Sequence, residues 1–239
     1  MGPTNCPPRT TQPNAFARPE FEPALDTPPF DLLPQLLKGA AVTLQITALT
    51  AGLALFLSFL VAFARIAPVR LVRGIATIYV EVLRGTSAIV QLFYLFFILP
   101  AFGISMGPVT TAVVGLGMNM SAYGSEVVRA GLAAVPRNQI EAADALALNR
   151  LQTYRLVVIP QALVIMMPSF GNLLIELIKA TSLVSLITLT ELTFSGRQMV
   201  VTTGRSFQVW GLVLLIYFIM AYPLTLLVGR IERHAAKFR

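Results

Sequence analysis

From Gly39 to Ala64 the chain runs without a single charged residue, interrupted only by threonine, serine and Gln45. A helix of ~20 apolar residues crosses the hydrocarbon core of a bilayer, where no water is available to satisfy backbone polar groups. This run is long enough to do so, and Arg65, Arg70 and Arg73 follow it at once. By the positive-inside rule that cluster marks the cytoplasmic end of a first span and places the amino terminus outside. With 56% of its residues hydrophobic and 12% charged, the chain reads as an integral membrane protein.

The remaining apolar runs complete the pattern. Ile75 to Arg84 is half-apolar, and its Glu81 and Arg84 stand at i, i+3, the spacing for mutual neutralisation. A second span is predicted from Ser87 to Phe102 and a third from Val109 to Val128, which meets Arg129 and Arg137 on its inner side. Gln161 to Thr190 is too long for one straight crossing at ~1.5 Å per residue. A break is therefore expected at Lys179 to Ser182, where polarity peaks, with Leu183 to Leu189 dipping back or lying along other helices. Glu191 to Arg205 reads as an outer loop. A fifth span runs from Phe207 to Val228 with a kink at Pro223, and Arg230, Arg233, Lys237 and Arg239 end the chain inside. The expected fold is all-α and membrane-integral: five transmembrane helices, amino terminus outside and carboxyl terminus inside. Residues 1–29, rich in proline, threonine and asparagine, read as a disordered tail. FDLLPQLLK, Phe30 to Lys38, reads as a short amphipathic helix at the interface.

Several chemistries are excluded. The chain has one cysteine, Cys6, and one histidine, His234, so neither a disulfide nor a Cys/His metal site can be assembled within it. No lysine is followed by serine or threonine, so the phosphate-cradling Gly-x-x-x-x-Gly-Lys-Ser/Thr loop cannot be written anywhere. If ATP drives this protein, another chain binds it. A formal charge of +7 suggests nucleic acid, but the basic residues lie between apolar spans and form no single stripe. An intramembrane hydrolase would need a catalytic dyad at membrane depth, and the scattered serines supply none.

One polar stretch stands out, Glu141 to Leu163, reading EAADALALNRLQTYRLVVIPQAL. Its first residues favour a short helix with an acid in the first turn, bracketed by Pro136 and Pro160. Ala142, Ala143, Ala145 and Ala147 leave one face bare enough for close approach to a partner. The alternative is a solvated amphipathic loop.

The stretch resembles the signature loop of ATP-binding-cassette importer permeases: Glu141, Ala142 and Ala143 match, Val157 and Ile159 are conservative replacements, and Pro160 matches. Ala147 stands where that family usually has glycine, which touches the local turn geometry. LLKG with Thr43 and Leu44, YVEVLRGTS with Gln91, Leu92 and Phe93, SAYGSEVVRAGL and IKATSLVSL are similar, in that order, to permeases for polar amino acids such as histidine, glutamine, arginine and opines. Ser87 replaces a frequent proline and Ala180 a frequent aspartate or other polar residue. KATSLVSLITLTELTF also resembles permeases for ectoine, a cyclic zwitterion. The resemblance implies a type I importer permease fold over residues 30–239, with a cytoplasmic coupling loop at 131–160. It implies no cofactor on this chain, with ATP and magnesium held by two separate ATP-binding subunits. The further partners it implies are a second permease, identical or homologous, an extracytoplasmic solute-binding protein and membrane lipid; nucleic acid is not among them. The location implied is the cytoplasmic membrane of a bacterium.

Candidate pathway residues follow from polar groups at membrane depth, where facing a cavity or partner is the default. On the third span Ala112, Gly115, Asn119, Tyr123 and Glu126 share one stripe. Asn119 either contacts a zwitterionic solute or makes an interhelical hydrogen bond; Glu126 either faces the solute, pairs with Arg129 or caps a neighbouring helix. On the fourth span Asn172, Glu176 and Lys179 share a face, where the last two either neutralise each other or line a pathway. Thr181 and Ser182 at the expected break would offer unwound backbone to a polar ligand. A carrier driven by an ion gradient, with Glu126 or Glu176 as the proton site, is the competing reading.

Overall fold

The computed structural model describes residues 29–235. Apart from Pro29, the tail expected at 1–29 lies outside the described residues, as do Lys237 and Arg239. Among the described residues the chain is helical, with no strand. A 3-10 turn, Pro29–Asp31, leads into α1, Leu33–Ile66. Pro34 stands in its first turn, where the missing N–H is no loss, and Ala67 before Pro68 is extended, which ends the helix. The amphipathic helix expected at Phe30 to Lys38 leads straight into α1 as one helix, but Leu32 and Leu36 are buried against α7 and α8.

Helix α2, Arg70–Gly85, is followed by α3, Ala88–Phe102, at a bend of 107°. Helix α3 loosens to a π turn at Tyr94–Ile98 and tightens to 3-10 at Leu99–Phe102, which carries Pro100, before Gly103 turns left-handed at φ 84°. Helix α4, Pro108–Ala133, opens on its proline. Helix α5 is Arg137–Ala145, and α6 runs over Arg150–Ile187. Helix α7, Leu192–Thr203, occupies the segment expected to be a loop, and α8 is Ser206–Ala235, with Pro223 inside it.

Pro160 was expected to close the polar stretch, but it lies within α6. A π turn at Tyr154–Val158 immediately before it widens the helix by a residue, which accommodates a ring that cannot donate. The break after Lys179 falls where polarity peaks: the α-helix ends at Ala180 and seven residues, Thr181–Ile187, continue as a 3-10 helix. Val184 and Ile187 are buried there against Leu92, Ala112 and Leu116.

By length and composition α1, α6 and α8 can each cross a membrane, and the bent pair α2–α3 adds a fourth candidate. Helix α4 is not in that set. Its small and polar residues dilute its apolarity, because it is the helix that neighbours enclose: Thr111, Asn119, Ser121 and Ser125 are all buried along it. Packing there is close. A β-carbon at Gly124 would overlap the Ser58 side chain of α1, and one at Gly131 would overlap Met166 of α6.

A second junction joins α1, α7 and α8. The Glu191 carboxylate is fully buried and caps α7 by accepting from Phe194 N at 2.8 Å. Tyr217 OH of α8 donates to it at 2.9 Å and Thr43 Oγ1 of α1 at 3.4 Å. Burial raises the carboxyl above its ordinary range, and the donors around it offset this only in part.

Candidate functional site

The polar stretch forms a helix, a tight reversal and a second helix start. Pro136 is extended and α5 begins at Arg137, earlier than the sequence pattern suggested. Only Ala143 of α5 is buried, so the helix is held by one face and offers the rest. Its end is a complete Schellman motif: Leu148 N donates to Ala143 O at 3.1 Å and Ala147 N to Asp144 O at 2.9 Å. Such a closure needs one left-handed residue, and Ala147 supplies it at φ 53°. This is the position where the resemblance places glycine. The turn therefore keeps its geometry and carries the strain of a Cβ. Ala147→Gly is expected to stabilise the reversal by about 1 kcal/mol, read as slower amide exchange at Leu146 to Leu148.

Asn149 then starts α6 through a reciprocal capping box: its side chain accepts from Gln152 N at 2.9 Å, and Gln152 Oε1 accepts from Asn149 N at 2.9 Å. Around this reversal large apolar side chains stand in the open: Leu146 is 75% exposed, Leu151 77%, and Tyr154 and Leu156 are more than half exposed. Glu141, Ala142 and Ala147 are exposed, and Glu141 makes no ion pair among the described residues. Val157, Ile159 and Pro160 fall on α6, with Val157 half-buried and the other two exposed.

The α4 stripe faces protein over most of its length. Gly115 packs against Leu92 and Leu95 of α3. Asn119 is buried and donates to Leu83 O at 3.2 Å and to Gln91 Oε1 at 3.1 Å, tying α4 to the bend between α2 and α3. The interhelical hydrogen bond, one of its two readings, is made. Gln91 extends the tie by donating to Leu83 O at 2.9 Å and Thr86 Oγ1 at 2.7 Å. Its place in the network has no local signature.

Glu126 gathers three cations. Arg129 pairs with it at 2.7 Å from the next turn, Arg65 of α1 donates to it, and Arg84 of α2 lies 3.7 Å away. Arg84 also stacks over Tyr123, its guanidinium 5.5 Å from the ring centre. It therefore turns away from Glu81, and the expected Glu81–Arg84 pair is not formed.

On α6 the outcome is the reverse. Asn172, Glu176 and Lys179 are exposed, and Glu176 and Lys179 form no ion pair with each other or with another described residue. Ser169, one turn earlier and also exposed, extends the same stripe; it continues the i, i+3, i+7 spacing and was legible in the sequence. Thr181 is fully buried and donates to Ile178 O at 2.6 Å, while Ser182 is half-buried and donates to Lys179 O at 2.8 Å. Both hydroxyls thus cap the end of the α-helical part of α6. Among the described residues no group of acidic, histidine and cysteine side chains is arranged to hold a metal.

Residues 54–237 match the family described as binding-protein-dependent transport system inner membrane component. The chain belongs to this family. As a member it is a multi-pass inner-membrane protein, in keeping with its apolar helices. It is 41% identical over 87% of its length to a probable amino-acid ABC transporter permease protein, y4tF, of Sinorhizobium fredii, covering 90% of that protein. It is 36% identical to the glutamine transport system permease protein GlnP of Escherichia coli over 84% of this chain and 93% of that one. A crystal structure of an amino acid ABC transporter with histidines superposes at a TM-score of 0.82 and 31% identity, over 86% of this chain and 96% of that one. The MetNI methionine ABC transporter in an inward-facing conformation shares the fold at a TM-score of 0.71 and 21% identity, over 86% and 98%.

Proposed function

We propose that this family member is the membrane-spanning permease subunit of an ATP-driven importer for polar amino acids or a related zwitterion. It crosses the inner membrane five times, through α1, α2–α3, α4, α6 and α8, with the amino terminus outside. A separate ATPase pair supplies the force, a second permease completes the pathway, and an extracytoplasmic binding protein delivers the solute. Relatives named for amino acids, glutamine and L-cystine support the substrate class.

The observation that carries the coupling role is the exposed apolar set around the reversal at 146–156. Leucines left three-quarters exposed on an ordered turn of a polar loop support a contact with another chain. ATPase closure would press on α5, held by Ala143 and Val135, and move α4 and α6 together through the buried cluster of Val128, Val158 and Met166. For the solute, the unpaired Ser169, Asn172, Glu176 and Lys179 stripe is the surface of choice, since charges within a spanning helix face water, solute or partner.

The test is uptake by liposomes carrying the chain with its ATPase, second permease and binding protein. Uptake should require internal ATP and fall more than tenfold with Glu141→Lys. Uptake driven by a proton or sodium gradient without ATP would support the carrier reading, and full activity of the variant would remove the coupling role from Glu141. Thermal stabilisation of the binding protein by arginine, glutamine, histidine or ectoine identifies the solute.

A further inference from the structure

Helix α2 carries three distinct faces set about a third of a turn apart. Ala76 and Val80 are buried, packed with Val61 of α1, and Tyr79 beside them reaches α4, where its hydroxyl lies 2.7 Å from Ser121 Oγ. Leu71, Ile75, Ile78 and Val82 form a second face and are 72, 60, 65 and 54% exposed. Arg70, Arg73, Thr77, Glu81 and Arg84 form the third. A helix with one protein face, one naked aliphatic face and one charged face fits a place where protein, hydrocarbon and water meet.

The charges on that third face are unbalanced. Arg70 and Arg73 have no acidic partner among the described residues, and Arg84 is one of three arginines sharing Glu126. Along α2 and its contacts with α1 and α4, five arginines meet two glutamates: Arg65, Arg70, Arg73, Arg84 and Arg129 against Glu81 and Glu126. The complement of such a surface is anionic. A second copy of this chain would bring the same basic face and repel it.

We infer that α2 seats in the inner leaflet and binds anionic phospholipid, with the Leu71/Ile75/Ile78/Val82 ridge among acyl chains and Arg70 and Arg73 on headgroup phosphates. The leaflet assignment rests on the proposed topology; the lipid site rests on α2 itself. The 107° bend into α3 supports this placement, because the two halves of that bent pair cannot both run along the membrane normal.

The experiment uses the full chain purified with its partner subunits. Phosphatidylglycerol retained through detergent washing is quantified against phosphatidylcholine, for the wild type and for an Arg70→Gln/Arg73→Gln variant. Selective retention by the wild type, weakened about thirtyfold in the variant, is expected for two arginines at an anionic surface. Equal retention of the two lipids, or an unaffected variant, overturns the inference. A nitroxide on Ile78→Cys, in a Cys6→Ser background, should be open to oxygen and closed to a water-soluble relaxant in vesicles. Closure to both would mean a protein partner covers the ridge, and would also overturn it. Thiol labelling of Thr77→Cys from each side of the membrane reports topology separately: reaction only from outside would fail the topology while leaving phosphatidylglycerol retention standing.

Discussion

Leu146→Glu combined with Leu151→Glu is expected to cut ATP-driven uptake more than tenfold while leaving the chain folded. Both side chains are about three-quarters exposed in the isolated chain, so the exchange removes no internal packing. Exposed substitutions of this kind shift stability by about 0.5 kcal/mol or less, and the thermal midpoint by about 2 °C. In a complex the same positions lose apolar burial worth roughly 1.5–3 kcal/mol each. Each also brings a carboxylate that must shed its water on contact. The sum exceeds ~4 kcal/mol, about a thousandfold in affinity at ~1.4 kcal/mol per tenfold. The measurement pairs uptake with pull-down of the ATPase. Wild-type values for both would show that the reversal stands free in water.

Glu191→Ala is expected to lower stability by about 2–3 kcal/mol and the thermal midpoint by about 8 °C. Phe194 N, Tyr217 OH and Thr43 Oγ1 converge on this carboxylate; alanine leaves Phe194 N without its acceptor and opens a cavity, while Thr43 keeps Gly39 O and Tyr217 keeps Thr193. Glu191→Gln should recover most of the loss. The amide keeps one acceptor for Phe194 N. Its donors can be met because the Tyr217 hydroxyl can reverse its bond with Thr193, 2.9 Å away. The pH dependence has a definite sign. The folded pKa lies above the unfolded one, so stability from the neutral carboxyl is complete below the unfolded pKa and declines as pH rises through the folded value. The glutamine variant lacks that dependence and should gain on the wild type as pH rises. Parallel curves for the two proteins would show that Glu191 does not titrate at this junction.

The long apolar helices α1, α6 and α8 were legible because an uncharged run such as Gly39 to Ala64 has few folds open to it, and the break at Ala180 was legible because Lys179, Thr181 and Ser182 interrupt apolarity at one point. Contacts between distant segments were not. Glu126 has Arg129 beside it in sequence, but Arg65, 61 residues earlier, is the cation that joins α1 to α4. Glu81 and Arg84 have ideal helical spacing, and a carboxylate on another helix takes the arginine. Glu176 and Lys179 have the same spacing and also stay apart, so spacing permits a pair without making one. The reversal was half-legible: the alanine-rich helix was readable, but Pro160 reads as a terminator unless the π turn before it is known. Helix α7 was hidden because Glu191 to Arg205 is polar enough to pass for a loop, and only burial of Leu192, Ser195 and Met199 reveals its inner face.

Gly124 and Gly131 bring the backbone of α4 within touching distance of Ser58 and Met166, with no side chain between to act as a bearing. A side chain at either glycine would force the helices apart. On the proposed role, α1, α4 and α6 are expected to move as one block, since parting them would break this backbone-to-side-chain packing.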